Sequence, residues 1–465
     1  VTALTFPGGV HLPEHKERTE GEAIRTLPVP PRLVVPMAQN LGAPAVPTVE
    51  KGQAVARGEP IGKPDGFISA AVHAPTSGTV TAVERVVDAA TGRTTTAVIL
   101  EADGEDRLHE AVPEEPRPWR DLDPDAIRQA VADAGVVGMG GATFPTHVKL
   151  SPPEGKAVEA ILINGAECEP YLTCDHRVML EEAERIVIGL RLCMTATGAE
   201  RGIVCIEDNK PDAAETMRQA LDDAPDLEVR LFQTKYPQGA EKQLIRACLG
   251  REVPTGGLPL DVGVVVQNVQ TALAVADACV HSMPLIERVL TIAGDAVGRP
   301  ANVRARVGTP LATLLAEAQV EDGFEELILG GPMMGKDQFT TDLAVLKGTS
   351  GLLLFRRAAV YEGGPCIRCG ACVRRCPAYL NPSRLSVLGE SFLDGNLDAV
   401  DTALGFGLMD CILCGTCAYV CPSRRRMVHL IEMLRDQRRR AVQRHREKEH
   451  AQAAALKRAS EEVAE

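Results

Sequence analysis

Aromatic residues are scarce in this chain of 465 residues, which has one Trp, five Tyr and nine Phe, 3% in all. With 45% hydrophobic residues overall, its cores must be filled by Ala, Val, Leu, Ile and Gly rather than by rings. Long apolar runs are also missing. Val262–Val266 is broken at once by Gln267 and Asn268, and no stretch approaches the roughly 18 residues that a membrane-spanning helix needs. Nothing at the N-terminus reads as a signal peptide, so disulfides are not expected. An excess of positive charge is lacking too. The formal net charge is −13, which argues against nucleic acid as a partner. That charge is uneven: Arg424 to Glu465 carries 12 Lys and Arg against 7 Asp and Glu, a net +5 that leaves −18 for the rest. The Ala-, Arg-, Glu- and Gln-rich tail reads as a long exposed helix. A basic arm docking on a membrane surface or membrane partner is the sharper reading.

What the chain does have is cysteine in a pattern. Cys366-x2-Cys369-x2-Cys372-x3-Cys376-Pro377 is repeated as Cys411-x2-Cys414-x2-Cys417-x3-Cys421-Pro422. This bacterial ferredoxin spacing implies two [4Fe–4S] clusters, because three closely spaced thiolates converge on one cubane while the fourth reaches the other. Cys366, Cys369, Cys372 and Cys421 are therefore expected to hold one cluster. Cys411, Cys414, Cys417 and Cys376 are expected to hold the second. Zinc is the rival metal, but structural zinc sites use well-separated pairs rather than four thiols in one run. Between the motifs, Leu385, Leu388, Phe392, Leu397, Val400 and Leu404 follow helical spacing, which predicts a helical dicluster module over 383–408. Cys193, Cys205, Cys248 and Cys279 sit in apolar runs and read as buried thiols, while Cys168 and Cys174 lie beside a polar motif.

The N-terminal hundred residues are short β-runs punctuated by glycine, which read as a small all-β unit. The segment resembles the sandwich of biotinyl and lipoyl carriers, but Lys63 lacks their flanking signature and a scaffold is expected. Strand and helix then alternate: a strand at 160–163, a helix at 180–192, a strand at 202–206, a helix at 212–221 and a strand at 227–232. That alternation predicts an α/β layer fold, whose ligands bind beyond the carboxyl ends of the strands. Before it lies the glycine cluster Gly138-Met-Gly140-Gly141, with Lys149 following; it fails the dinucleotide fingerprint but suits an anion. From about 284 to 346 a small α+β module is expected, with strands at 290–293 and 327–329, a helix at 311–318, and Gly330–Gly335 closing it. Met333 and Met334 there read as core or interface residues.

Four motifs, Gly138-x-Gly140-Gly141-Ala-x-Phe144-Pro-Thr-x2-Lys149, Asn164-x2-Glu167-x-Glu169-Pro, Gly239-x-Glu241 and Asn268-Val-x-Thr271, come in the order seen in the flavin- and NADH-binding subunit of respiratory complex I. The whole arrangement resembles the RnfC family more closely, through Phe6–Pro13, His73–Val80, Glu207–Pro211, Thr234–Pro237, Gly330–Gly335 and both cysteine runs. RnfC is the soluble subunit of the Rnf (or Rsx) ion-translocating electron-transport complex. The resemblance implies a multidomain α+β and α/β chain. Its domains would be an RnfC-type barrel-sandwich hybrid (1–115), an FMN/NADH-binding α/β domain (116–280), an SLBB-like β-grasp module (281–350), a dicluster ferredoxin-type domain (351–430) and a basic helical tail (431–465). It implies FMN contacts at Gly138, Gly140, Gly141, Lys149, Asn164, Glu167, Asn268 and Thr271, and positions facing NADH at Phe144, Glu169 and Glu241. Two acids of the complex I pattern are absent, their places being taken by Ala166 and Ala240.

The implied function is NADH-linked oxidoreduction, with FMN converting two-electron hydride chemistry to the one-electron chemistry of the clusters. The implied partners are membrane-embedded and iron–sulfur Rnf subunits and, through them, ferredoxin. The implied location is peripheral, on the cytoplasmic face of the bacterial inner membrane. The nearest rival is a soluble flavo-iron–sulfur reductase such as a microcompartment cobalamin reductase. A rival of another class is a scaffold without flavin, in which the glycine and Asn/Glu motifs are only turns and caps.

Overall fold

The computed structural model describes residues 3–320 and 323–464, with side chains from 450 onward described only at Gln452. Residues 1–2 and 465, at the ends of the first and last expected domains, and residues 321–322 of the third lie outside the described residues. The chain divides into two compact units. One comprises Val1–Phe6 and His11–Ala359, the other Pro7–Val10 and Val360–Glu465.

In the first unit the N-terminal segment forms two small antiparallel sheets. One has the order Arg32–Pro36, Thr94–Ala102, Gly78–Val87, Ala54–Val55. The other has the order Val46–Pro47, Pro60–Lys63, Val72–His73. Alternating side chains such as Leu33, Val35, Val80, Val98 and Leu100 point into a shared aliphatic core. No aromatic ring is needed, as the composition required.

The next layer is a four-stranded parallel sheet, ordered Leu227–Phe232, Arg201–Glu207, Ala160–Gly165, Val264–Asn268. Parallel strands covered on both faces need continuous apolar runs, and Ala160, Ile161, Leu162 and Ile163 are all fully buried. The helices Cys174–Glu181, Ala183–Thr197, Pro211–Leu221, Glu241–Leu249 and Val269–His281 belong to this layer. The expected single helix at 180–192 is two helices, because the backbone departs from helical geometry at Glu182. In sequence order the strands run outward from Ala160–Gly165 to one edge, and the fourth then pairs on the opposite side of the first. The sheet therefore changes direction between Ala160–Gly165 and Val264–Asn268, where open α/β sheets bind ligands.

A third, six-stranded sheet is built mainly from Glu287–Ala293, Ala301–Arg306, Glu326–Leu329 and Gly351–Phe355, with Leu311–Glu317 packed on it. Gly351–Phe355, expected in the cysteine-rich domain, instead pairs between Glu287–Ala293 and Glu326–Leu329. Its all-apolar Leu352–Leu354 is an interior strand. The N-terminal Arg25–Thr26 adds an edge to the same sheet.

The second unit is helical: Ala371–Arg375, Pro382–Leu393, Ala399–Leu404, Thr416–Tyr419 and the long Met427–Ala464. Its core is Leu385, Leu388, Ala399, Ala403, Leu408, Ile431 and Leu434. The expected helical stretch between the cysteine runs is thus two helices and a 3-10 turn, and the tail helix starts before residue 431. Pro7–Val10 belongs here, with the Gly9 amide donating to the Arg375 carbonyl at 2.9 Å.

Candidate functional site

At the point where the parallel sheet changes direction, Asn164 and Asn268 end neighbouring strands and are paired in register. Each asparagine fixes a loop. The Asn164 side-chain amide donates to the Gly239 carbonyl at 2.8 Å. The Asn268 side-chain oxygen accepts from the Gln270 amide at 2.9 Å, capping Val269–His281, while its amide donates to buried Asp175 at 2.6 Å. One turn into that helix, Thr271 accepts the Met139 amide at 2.8 Å, which ties down the glycine cluster. Two of the glycines lie against these groups at ordinary contact distance. A Cβ on Gly140 would stand 3.4 Å from Asn268 Cβ, and one on Gly239 would fill a space bounded by Asn164, Ala166 and Cys168. Gly141 has φ +106°, which L side chains rarely adopt.

Lys149 ends the short Thr146–Lys149 helix and donates to Glu241 at 2.9 Å and to the Val266 carbonyl at 3.1 Å. The structure therefore brings together the glycine cluster, Lys149, Asn164, Asn268, Thr271 and Glu241. The Phe144 carbonyl accepts from the Gly138 amide at 2.8 Å, closing the glycine turn. Glu167 lies at the same strand end, but its carboxylate accepts the Asp175 and His176 amides at 2.7 and 3.2 Å and so serves as a helix cap. Glu167, Cys174 and Asp175 lie close enough to hold a cation, yet the carboxylates of Glu167 and Asp175 already accept hydrogen bonds from neighbouring protein groups.

Glu169 is used differently. Its two oxygens accept the Met333 and Met334 amides at 2.9 Å each, and a Cβ on Gly331 would collide with its carboxylate. Burial pushes its carboxyl up to about 7, against the pull of these amides, Lys16 and the Tyr236 hydroxyl. Glu169 thus pins the Gly330–Gly335 turn, and Met333 and Met334 meet it through their backbones.

Several residues here carried no motif signal. The buried Lys16 ammonium donates to the carbonyls of Glu167 at 2.8 Å, Glu169 at 3.2 Å and Leu172. Lys210, also buried, donates to the Ala166 carbonyl at 2.7 Å. Two lysines from distant elements therefore hold the loop after the first strand. Burial lowers the pKa of Lys16 and raises that of Asp175, which is also pushed up by Glu167. The one sequence signal for Lys210 was its place in Glu207–Pro211; Lys16 and Asp175 had none.

In the second unit, Cys366, Cys369, Cys372 and Cys421 line one cavity. Cys376, Cys411, Cys414 and Cys417 line another. The fourth cysteine of each run lies just past the end of a short helix, Ala371–Arg375 or Thr416–Tyr419, each entered through a left-handed glycine, Gly370 or Gly415. Amides already point at the thiols, as Leu380 N to Cys376 Sγ at 3.4 Å. Four thiols around one cavity, with backbone donors beside them, are the donor set of an iron–sulfur cluster. Of the remaining cysteines, Cys193, Cys205, Cys248, Cys279 and Cys174 are buried, and Cys168 accepts from the Gly239 amide.

Comparison with known proteins finds family matches in three regions of the chain. The RnfC barrel sandwich hybrid domain matches residues 4–105, the Nuo51 FMN-binding domain 131–277, and the 4Fe-4S dicluster domain 362–425. Among curated proteins, the C subunit of the Na(+)-translocating ferredoxin:NAD(+) oxidoreductase complex of Acetobacterium woodii is 45% identical, over 82% of this chain and 86% of its own length. The C subunit of the proton-translocating ferredoxin:NAD(+) oxidoreductase complex of Clostridium ljungdahlii is 43% identical over 96% of both chains. The C subunit of the ion-translocating oxidoreductase complex of Pseudomonas aeruginosa is 42% identical, over 82% of this chain and 49% of its own length. The chain belongs to the RnfC family, the C subunits of ion-translocating oxidoreductase complexes.

Proposed function

We propose that this subunit passes electrons between NADH and the other subunits of its complex, through FMN and two [4Fe–4S] clusters. The observation that carries the reading is that one chain combines a glycine cradle and an anchored lysine at a parallel-sheet switch point with two four-cysteine cavities. FMN suits the first site. Glycines at 138, 140 and 141 and Lys149 would take its phosphate and ribityl chain, and Asn164, Glu167, Asn268 and Thr271 its remaining polar contacts. Phe144, Glu169 and Glu241 would face NADH. When bound, FMN exchanges a hydride with nicotinamide and single electrons with clusters, which carry one electron each.

The protein's part is placement. Thr271 and Asn268 hold the glycine loop and the helix start before any ligand arrives, and Asn164 holds the Gly239 turn. Lys149 is kept at the site by Glu241 and the Val266 carbonyl, ready to exchange a carboxylate for a phosphate. The eight cysteines supply the thiolates, four to each cluster. No helix among the described residues is long and apolar enough to cross a membrane. Ion movement thus falls to other subunits. The chain would sit peripherally on the cytoplasmic face of the inner membrane, with membrane-embedded and iron–sulfur subunits as partners and ferredoxin as an indirect one.

The test is anaerobic purification with clusters and FMN reconstituted, followed by NADH and optical and EPR spectra. Bleaching of bound flavin together with signals from reduced clusters is the expected result. Clusters without a flavin that NADH reduces would leave an electron relay and end the NADH role of Phe144, Glu169 and Glu241.

A further inference from the structure

The two cysteine runs are a repeat, and aligning them on their cysteines aligns the walls of the two cavities. The walls differ at three register positions. Around Cys366, Cys369, Cys372 and Cys421 stand Arg368, Ser383 and Arg425. Around Cys411, Cys414, Cys417 and Cys376 the same register positions hold Leu413, Val428 and Leu380. Exposure follows the same division: Cys369 is exposed where its counterpart Cys414 is buried.

Arg425 is the informative member. Its side chain is 5% exposed, and its Nη2 donates to Ser386 Oγ at 3.2 Å and pairs with Glu390 at 2.7 Å. Its Nε is buried and has no hydrogen-bond partner among the described residues. A buried guanidinium N–H left without an acceptor is costly, and native structures rarely keep one without a purpose. The other end of the group is held by Ser386 and Glu390 on Pro382–Leu393, the helix that also brings Ser383 to this cavity. Cluster potentials rise with positive charge, with hydrogen bonds to the sulfurs and with solvent exposure. Exposure and the two lining arginines favour the first cavity; beside the second, Arg435 donates to the Cys411 carbonyl, its own Nε is likewise buried without a partner among the described residues, and Thr416 Oγ lies 3.3 Å from Cys414 Sγ. Leu380, Leu413 and Val428 add neither charge nor a side-chain donor to the second.

We propose that Arg425 donates its free Nε–H to a sulfur of the cluster held by Cys366, Cys369, Cys372 and Cys421, and that with Arg368 it sets this cluster at a higher reduction potential than its twin. An electron shared between the two clusters then rests on the one with the arginines. The proposal depends on the cysteine assignment given above, but on neither NADH nor FMN.

The test is a potentiometric EPR titration of the reconstituted full-length chain, with dithionite as reductant. Wild type, Arg425→Leu, Arg425→Lys and Arg368→Leu are compared after iron and sulfide analysis. The wild type should show two separated midpoints. Arg425→Leu should lower the higher midpoint alone by at least a tenfold change in the one-electron equilibrium, about 59 mV. Arg425→Lys, which keeps charge but not the planar donor, should give a smaller fall. Arg368→Leu, on an exposed residue with little bearing on folding, should move the same signal in the same direction. Coincident wild-type midpoints, movement of the lower signal, or an unmoved Arg368→Leu titration would each overturn the proposal. Two intact clusters without NADH reduction would count against the proposed function and leave this inference standing.

Discussion

The flavin-site domain and the cysteine unit hold their functional groups by different means. In the first, polar groups at the sheet switch point are tied to other protein groups, many of them from distant parts of the chain. Met139 is bound by Thr271, Gly239 by Asn164, and the Ala166–Leu172 loop by Lys210 and Lys16. A large aliphatic core around the parallel sheet supports all of it. The second unit has a small core of Leu, Ile and Ala, and its eight cysteines surround cavities rather than one another. Small units of this kind fold through their metal, because binding free energy becomes folding free energy. The flavin domain should therefore survive loss of its ligand, and the cysteine unit should not.

Iron removal tests that contrast most severely. Anaerobic chelation should abolish the helical signal and the protease resistance of residues 360–430, while residues 11–359 keep their melting transition and still take up FMN. Cys414→Ser, at a buried position lining one of the two cavities, should lose one cluster and much of the same protection, read by iron content and limited proteolysis. A chelated protein with an intact cysteine unit would show that its small core suffices.

Lys149→Met asks the reverse of the flavin domain. Charge-assisted hydrogen bonds are worth about 1.5–3 kcal/mol, so FMN affinity should fall about tenfold to a hundredfold. Melting of the ligand-free domain should change little, since Lys149 joins only Glu241 and one carbonyl. Flavin fluorescence titration measures the first quantity and calorimetry the second. A large fall in stability would make Lys149 a structural residue.

The same contrast explains what could be read from the chain alone. The division of the eight cysteines between two cavities was legible from the chain, because it follows local spacing, although the helices between the runs were not. The strand at 227–232 and the alternation of the α/β layer were legible through apolar periodicity. The central strand Gly351–Phe355 was misplaced because strand pairing is non-local: its apolar run says that it is buried, but not in which sheet. Lys16, Asp175 and Lys210 share that difficulty. A buried lysine donating to three carbonyls looks, in sequence, like any surface lysine. Glu169 was singled out by its motif, yet its hold on the Met333 and Met334 amides depends on a turn more than 160 residues away.

That hold gives the finest comparison. Glu169 keeps its proton up to about pH 7 in the folded chain, against 4.5 for an ordinary glutamate. Between those values the folded state binds more protons than the unfolded state. Its contribution to stability is therefore fully present below about pH 4.5 and is lost as pH rises through about 7. One proton of difference gives a slope of about 1.4 kcal/mol per pH unit at most. Glu169→Gln cannot titrate, so its melting temperature should fall less than the wild type's between pH 5 and pH 7.5, whatever constant offset the lost amide bond adds. Equal slopes in the two proteins would mean that Glu169 is already ionised across this range and that the two amides outweigh its burial.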